Sequence, residues 1–234
     1  MENPKSSNQN LNHLAIILDG NRRWAKAHGL PKIQGHKKGY DNLKKIALAA
    51  FDRGIKYFSA FVFSTENWNR DKGEVDYLMD LVIKVFTSDL DELDKKNVKI
   101  RIIGSRERLS AKMIEAIESS EQKTKDNDGG VLCLCFNYGG RNEIVQACKQ
   151  IVNDGLAGSE ITETSLKDRM YTHDIPDPDM IVRTSGEMRL SNFLLWGSAY
   201  AELEFIDIHW PDFNEDMLDK VLADFAKRNR RLGK

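Results

Sequence analysis

The chain has 234 residues, 41% hydrophobic and 30% charged, with a formal net charge of -1, a balance that suits a soluble globular fold and gives no general attraction to nucleic acid. Residues 1–12 are polar and include Pro4, and no later apolar run approaches a membrane span. Neither a signal peptide nor a transmembrane anchor is expected, and the expected location is cytoplasmic.

Residues 1–12 read as a loose tail ahead of one compact domain over 13–234. The apolar run 14–18 is short and closed by Asp19-Gly20-Asn21, which predicts a buried strand. Trp24-Ala25-Lys26-Ala27 beyond it favours a helix. Residues 30–39, from Leu30-Pro31-Lys32 to Lys37-Lys38-Gly39, read as a glycine-punctuated basic loop able to fold back over that strand end. Leu43, Ile46, Ala47 and Ala50 recur at helical spacing, and Gly54 is placed to cap that helix.

A second strand, 57–63, ends in Ser64-Thr65-Glu66-Asn67-Trp68-Asn69-Arg70. An apolar stripe from Val75 to Leu93 predicts one long helix over 74–93. Strand 98–103, helix 110–125 and strand 131–136 follow, then helix 141–152, a polar connector, a short helix at 165–170 and the stiff turn 175–179. Strand 180–183 leads into a polar loop, 184–192. A last strand is expected at 204–208, and Asn214 is placed to cap a final amphipathic helix. Three cysteines, Cys133, Cys135 and Cys148, have no metal-ligand spacing and read as reduced, packed thiols.

Strands alternating with helices predict an α/β single domain with a six-stranded, mainly parallel sheet flanked by helices. Three polar loops then share the carboxyl edge of the sheet: 19–24, 64–70 and 183–191. Ligands of open parallel sheets bind at that edge, where a helix start favours an anion. Arg22 and Arg23 add positive charge, whereas Asp19 would repel an anion unless a divalent cation lay between them, and Mg²⁺ bridging Asp19 to a phosphate satisfies both. An ordinary strand-turn-helix with a solvated basic face fits the same residues. Arg183 and Arg189, with Ser191 in one loop, read as a second phosphate clamp or as surface ion-pair donors. Glu202 fits either a buried structural acid or a further metal contact. Dinucleotide, P-loop and zinc-protease motifs are all missing. An aspartyl-phosphate hydrolase would need a second aspartate where Asn21 stands.

The motifs Asp19-Gly20-Asn21-Arg22-Arg23-Trp24, Gly35-His36, the stretch 63–70 and the stretch 183–202 closely resemble those of the cis-prenyltransferases, the family of bacterial undecaprenyl diphosphate synthase. The resemblance implies a Mg²⁺-dependent enzyme that extends an allylic diphosphate, usually farnesyl diphosphate, with isopentenyl diphosphate units in cis. It assigns Asp19 to Mg²⁺ and catalysis, and Gly20, Asn21, Arg22, Arg23, Trp24, Lys32 and His36 to the allylic diphosphate. Arg183, Arg189, Leu190 and Ser191 fall to isopentenyl diphosphate. Ser64, Thr65, Glu66, Asn67, Trp68 and Arg70 fall in a loop that orders over substrate, with Asn67 at the position assigned as proton acceptor. An amide is a poor base, so the proton is expected to leave through His36 and Ser64 or the released diphosphate. Glu202 falls at the second metal-contacting carboxylate.

The chain departs from the pattern at Arg22, where glycine is common, at Lys32, where arginine is common, and at Met188, where histidine is frequent. The resemblance also implies a homodimer. Membrane contact is expected to be peripheral and driven by the lipid product, since no span is present, and a hydrophobic tunnel is expected between sheet and helices. Phe58, Ala60 and Val62, on one face of strand 57–63, are expected to form its wall with the 74–93 stripe. A non-catalytic partner subunit and an Asp19-dependent phosphohydrolase are the competing readings.

Overall fold

The structure is a computed structural model that describes residues 11–228. The expected tail lies outside the described residues except for Leu11 and Asn12. β1 (His13–Ile17) is followed by α1 (Asn21–Ala27), α2 (Lys32–Asp52), β2 (Tyr57–Ser64), α3 (Lys72–Phe86), α4 (Leu90–Lys95) and β3 (Val98–Ile103). Next come α5 (Ala111–Lys123), β4 (Gly130–Tyr138), α6 (Gly140–Asn153), α7 (Glu163–Lys167), β5 (Met180–Thr184), β6 (Glu202–Ile206) and α8 (Glu215–Lys227). All strand pairs are parallel, in the order β3-β4-β2-β1-β5-β6.

Alternation along each strand sends side chains into two layers of core. Leu14 and Ile16 of β1, Phe58 and Ala60 of β2 and Val182 of β5 join the face covered by α2, α3 and α8. Ala15, Ile17, Cys133, Cys135, Ile181 and Phe193 fill the other. Both faces are apolar because a parallel sheet is buried on both sides. The order matters for function. From β1 the chain crosses to β2 on one side, whereas β5 lies on the other side of β1 and leads outward to β6. The connections after β1 and β5 therefore lead away to opposite sides, and the adjoining loops border a crevice at the carboxyl ends of these two strands.

Four expectations are corrected. Residues 32–39 are the first turns of α2, not a loop. Gly35 and Gly39 serve close packing, since a Cβ on Gly35 would lie 2.1 Å from the Asn21 carbonyl oxygen and one on Gly39 2.2 Å from Asn21 Oδ1. The helix expected over 74–93 breaks after Phe86, where Thr87 and Ser88 turn their hydroxyls back onto the carbonyls of Ile83 and Lys84, a bonding mode that competes with the helix ladder. β6 begins two residues earlier than expected, because Glu202 N–H bonds the Asp179 carbonyl and aligns Glu202 with Met180. Cys148 is exposed on α6, while Cys133 and Cys135 are buried.

Candidate active site

At the end of β1 the chain turns through Asp19 and Gly20 into α1. Gly20 has φ +104°, and a Cβ there would lie 2.7 Å from both Ser185 Oγ and His209 Nδ1, so only glycine fits. No side chain caps the first turn of α1, and that turn carries no acid, which leaves its N–H groups available to an anion.

Asp19 and the two loops meet at this point. Asp19 Oδ2 accepts from Arg183 Nη2 at 2.8 Å, and Oδ1 lies 3.1 Å from Arg23 Nη2. Burial pushes the Asp19 carboxyl up, but Arg183 and Arg23 outweigh it and hold the group below the usual carboxylate range. Arg183, at the end of β5, is only 5% exposed. Its Nη1 donates to the Arg189 carbonyl at 2.6 Å and to Ser191 Oγ at 2.8 Å, which braces the clamp loop. Arg183 Nε is buried with no partner among the described residues, a spare donor in a site built for anions. Glu187 ties Arg23 (3.2 Å) to Arg189 (2.5 Å).

A second cluster closes the other side. Glu74, 8% exposed on α3, lies 3.1 Å from His36 Nε2, 3.0 Å from Arg70 Nη1 and 3.9 Å from Arg22 Nε. The His36 imidazole therefore donates Nε2–H to a carboxylate. Burial lowers its pKa despite that partner, so it is neutral at neutral pH, and its Nε2 proton is committed to Glu74 rather than to Ser64. Burial raises the Glu74 carboxyl, and His36, Arg22 and Arg70 together overcome this to keep it ionised. After β2, Asn67 Oδ1 accepts from Ser64 N–H at 3.2 Å and caps the 3₁₀ turn Thr65–Asn69. Glu66 accepts from Asn192 Nδ2 at 2.8 Å, joining this turn to the clamp loop.

These groups rim a cavity of about 1140 Å³, larger than the common 300–1,000 Å³ range of small-molecule pockets. Asp19, Gly20, Asn21, Arg22, Arg23, Lys32, His36, Ser64, Glu66, Asn67, Arg70, Arg183 and Ser191 line it, as does Lys26. Asn192 lines it too, and most of the remaining wall is apolar, including Leu43, Val62, Leu78, Leu81, Val82 and Val85. Phe58 and Ala60 do not line it. They are fully buried in the core behind.

Five predicted substrate residues also stand off the cavity wall. Trp24 donates to Asp212 Oδ1 at 2.7 Å and stacks on His28. Trp68 donates to Asn137 Oδ1 at 2.8 Å under the Arg108 guanidinium. Thr65 borders Gly139, Arg189 is an exposed partner of Glu187, and Leu190 packs on the second core layer. Glu202 is at the amino end of β6, aligned with Met180, while Arg183 aligns with Phe205. It pairs with Arg228 at 3.0 Å, so within this chain it lies away from the edge that carries Asp19. Met188 is 77% exposed. Sequence reasoning missed Glu74, Glu187 and Asn192 as organisers, because each acts through a partner distant in the chain.

Among the described residues no group of three or more His, Cys, Asp or Glu could hold a metal by itself, and no helix is long and apolar enough to cross a membrane. Residues 17–233 match the Prenyltransf family profile for undecaprenyl diphosphate synthases. The isoprenyl transferase of Thermotoga maritima is 47% identical over 223 residues, covering 94% of this chain and 96% of that protein. Solved structures share the fold. The lavandulyl diphosphate synthase of Lavandula x intermedia, in complex with dimethylallyl diphosphate, matches with TM-score 0.92 and 36% identity over 96% of this chain and 99% of its own. A probable undecaprenyl diphosphate synthase of Campylobacter jejuni matches with TM-score 0.80 and 33% identity over the same shares. With motifs, sheet edge and relatives in agreement, the chain belongs to the cis-prenyltransferase (isoprenyl transferase) family.

Proposed function

We propose that this chain condenses isopentenyl diphosphate units onto an allylic diphosphate, with farnesyl diphosphate as primer, to make the long-chain undecaprenyl diphosphate precursor of a lipid carrier. The observation that carries the reading is the joining of a cationic rim to an apolar cavity of about 1140 Å³. An arginine-lined mouth suits diphosphates, and an apolar depth suits a growing hydrocarbon. The dimethylallyl diphosphate held by the lavender protein is itself an allylic diphosphate.

Arg22, Arg23, Lys32 and the first turn of α1 take the allylic diphosphate, while Arg183, Arg189 and Ser191 take isopentenyl diphosphate. Each arginine already faces a carboxylate of the chain, Asp19, Glu187 or Glu74. The rim is thereby held in position before substrate arrives, which reduces the reorganisation needed at the transition state. Asn67 gives its carbonyl oxygen to Ser64 N–H, which leaves its NH₂ as a donor. Asn67 therefore holds an oxygen of the substrate, and the proton departs to the released diphosphate. Arg22 replaces a common glycine with a cation tethered by Glu74, and Lys32 supplies charge without arginine's bidentate fork.

The donor set fits Mg²⁺ in the mode where one or two carboxylates share the ion with substrate phosphates and water: the ionised carboxylate of Asp19 lines the cavity among phosphate-binding groups. Asp19 would hold the ion, whose charge would stabilise the departing diphosphate. Glu202 has no part in this from within the same chain.

The apolar wall continues from Val62 along α3, and we assign it as the tunnel for the product, each five-carbon unit gaining up to about 4 kcal/mol by burial. Pure protein given farnesyl diphosphate, labelled isopentenyl diphosphate and Mg²⁺ should yield elongated polyprenyl diphosphates on chromatography. No lipid at all, or phosphate released without elongation, would contradict the proposal.

A further inference from the structure

From Gly20 to Tyr40 the chain has no acidic residue and six basic ones, in a protein whose Asp and Glu number 36 and whose net charge is -1. The stretch folds as α1, a tight turn and the start of α2, and residues 26–34 are exposed without interruption. Leu30 and Ile33 at this corner are 36% and 43% exposed. Lys26, Lys32, Lys37 and Lys38 are exposed in the same stretch, and none of the four has a carboxylate within 4.0 Å among the described residues. Binding of diphosphates does not account for the whole pattern. Lys26 and Lys32 reach the cavity rim, but Lys37, Lys38 and Ile33 do not line it.

We infer that the α1–α2 corner docks on an anionic lipid surface, with Leu30 and Ile33 entering the headgroup layer and the lysines facing acidic lipids. Apolar side chains flanked by lysines are the composition by which an interfacial helix lies on a membrane, and the long lysine stems allow the charge to stay at headgroup level while the apolar neighbours go deeper. Leu30, Pro31 and Lys32 also line the cavity, so docking here sets the cavity mouth at the bilayer. A hydrocarbon product leaving the protein then passes into lipid rather than water. The inference rests on the proposed polyprenyl product, but its test does not depend on catalysis.

The full chain is cosedimented with phosphatidylcholine vesicles, with and without phosphatidylglycerol, and the first condensation is assayed separately without vesicles. The expected result is binding to the anionic vesicles alone, falling with added salt. Lys37→Gln with Lys38→Gln should weaken it about thirtyfold, from the general worth of a basic residue near an acidic leaflet, and Ile33→Ser should weaken it about tenfold. Both variants should keep the parent rate of first condensation. Equal binding to neutral vesicles, no binding to anionic ones, or variants that bind as the parent does would overturn the docking surface. Vesicle binding by a protein that never elongates would instead overturn the proposed function and leave this surface standing.

Discussion

His13 sits fully buried at the start of β1, 2.8 Å by Nδ1 from the Pro176 carbonyl and 2.7 Å by Nε2 from Ser59 Oγ. A carbonyl only accepts, so Nδ1 carries the proton and Nε2 accepts from the serine. Burial lowers the pKa of His13 from 6.5 to about 4. Between those values the unfolded chain binds a proton that the native state refuses, so stability falls as pH falls through this window. His13 should cost about 3 kcal/mol of unfolding free energy between pH 7 and pH 4, and urea titrations of wild type and His13→Gln should show that much of the slope vanish in the variant. The sequence places His13 only as the residue before an apolar run. Its burial is set by Pro176 and Ser59, which are remote in the chain. Asp19, Arg183 and Ser191 were legible because each ends a strand or follows one closely. Glu74 was legible only as the start of a helix, since Arg22 of α1 and His36 of α2 are remote from it in the chain.

At the scale of elements, the contact of α1 with α2 sets the diphosphate loop. Glycine inside a helix ordinarily costs about 1 kcal/mol relative to alanine, so Gly35→Ala would stabilise a helix standing alone. Here the added Cβ would meet the Asn21 carbonyl at 2.1 Å. Gly35→Ala should therefore lower stability by about 1 to 3 kcal/mol and, by displacing α1, raise KM for the allylic diphosphate. Thermal melts and steady-state kinetics check both. The same glycines misled the reading of 32–39, because glycine marks loops locally and a close helix crossing does so only through its distant neighbour. On β2, Val62 lines the cavity, whereas Ala60 is enclosed in the core. Val62→Ala should shift products to longer chains with the first condensation unchanged. Ala60→Leu overpacks the core and reports on folding, not length. Chromatography showing the same length distribution for Val62→Ala would remove this residue from the tunnel.

For the whole molecule, alternating strands and helices made the parallel sheet legible, but not the order β3-β4-β2-β1-β5-β6. That order puts the loops after β1 and β5 side by side and places Glu202 at the far end of its strand. Strand-end chemistry could be read from local pattern, whereas which ends adjoin is fixed only by packing. We expect a homodimer, with the segment after Arg183 at the interface, where Met188, Tyr200 and Leu203 are exposed apolar side chains. Sedimentation should show the dimer at micromolar concentration, and a fully active monomer would refute it. Asp19, held between Arg183 and Arg23, is proposed as the carboxylate that would hold Mg²⁺ against the departing diphosphate. Asp19→Ala would strand the buried Arg183, at a cost in stability of about 2 kcal/mol or more. Asp19→Asn preserves shape and one hydrogen-bond acceptor, so it separates chemistry from folding. The decisive measurement is single-turnover transfer of labelled isopentenyl diphosphate to farnesyl diphosphate by wild type and Asp19→Asn side by side, with circular dichroism to confirm the fold. Wild type should elongate and the variant should lose roughly two to three decades in rate, whereas equal rates, or no elongation by wild type, would remove Asp19 from this role.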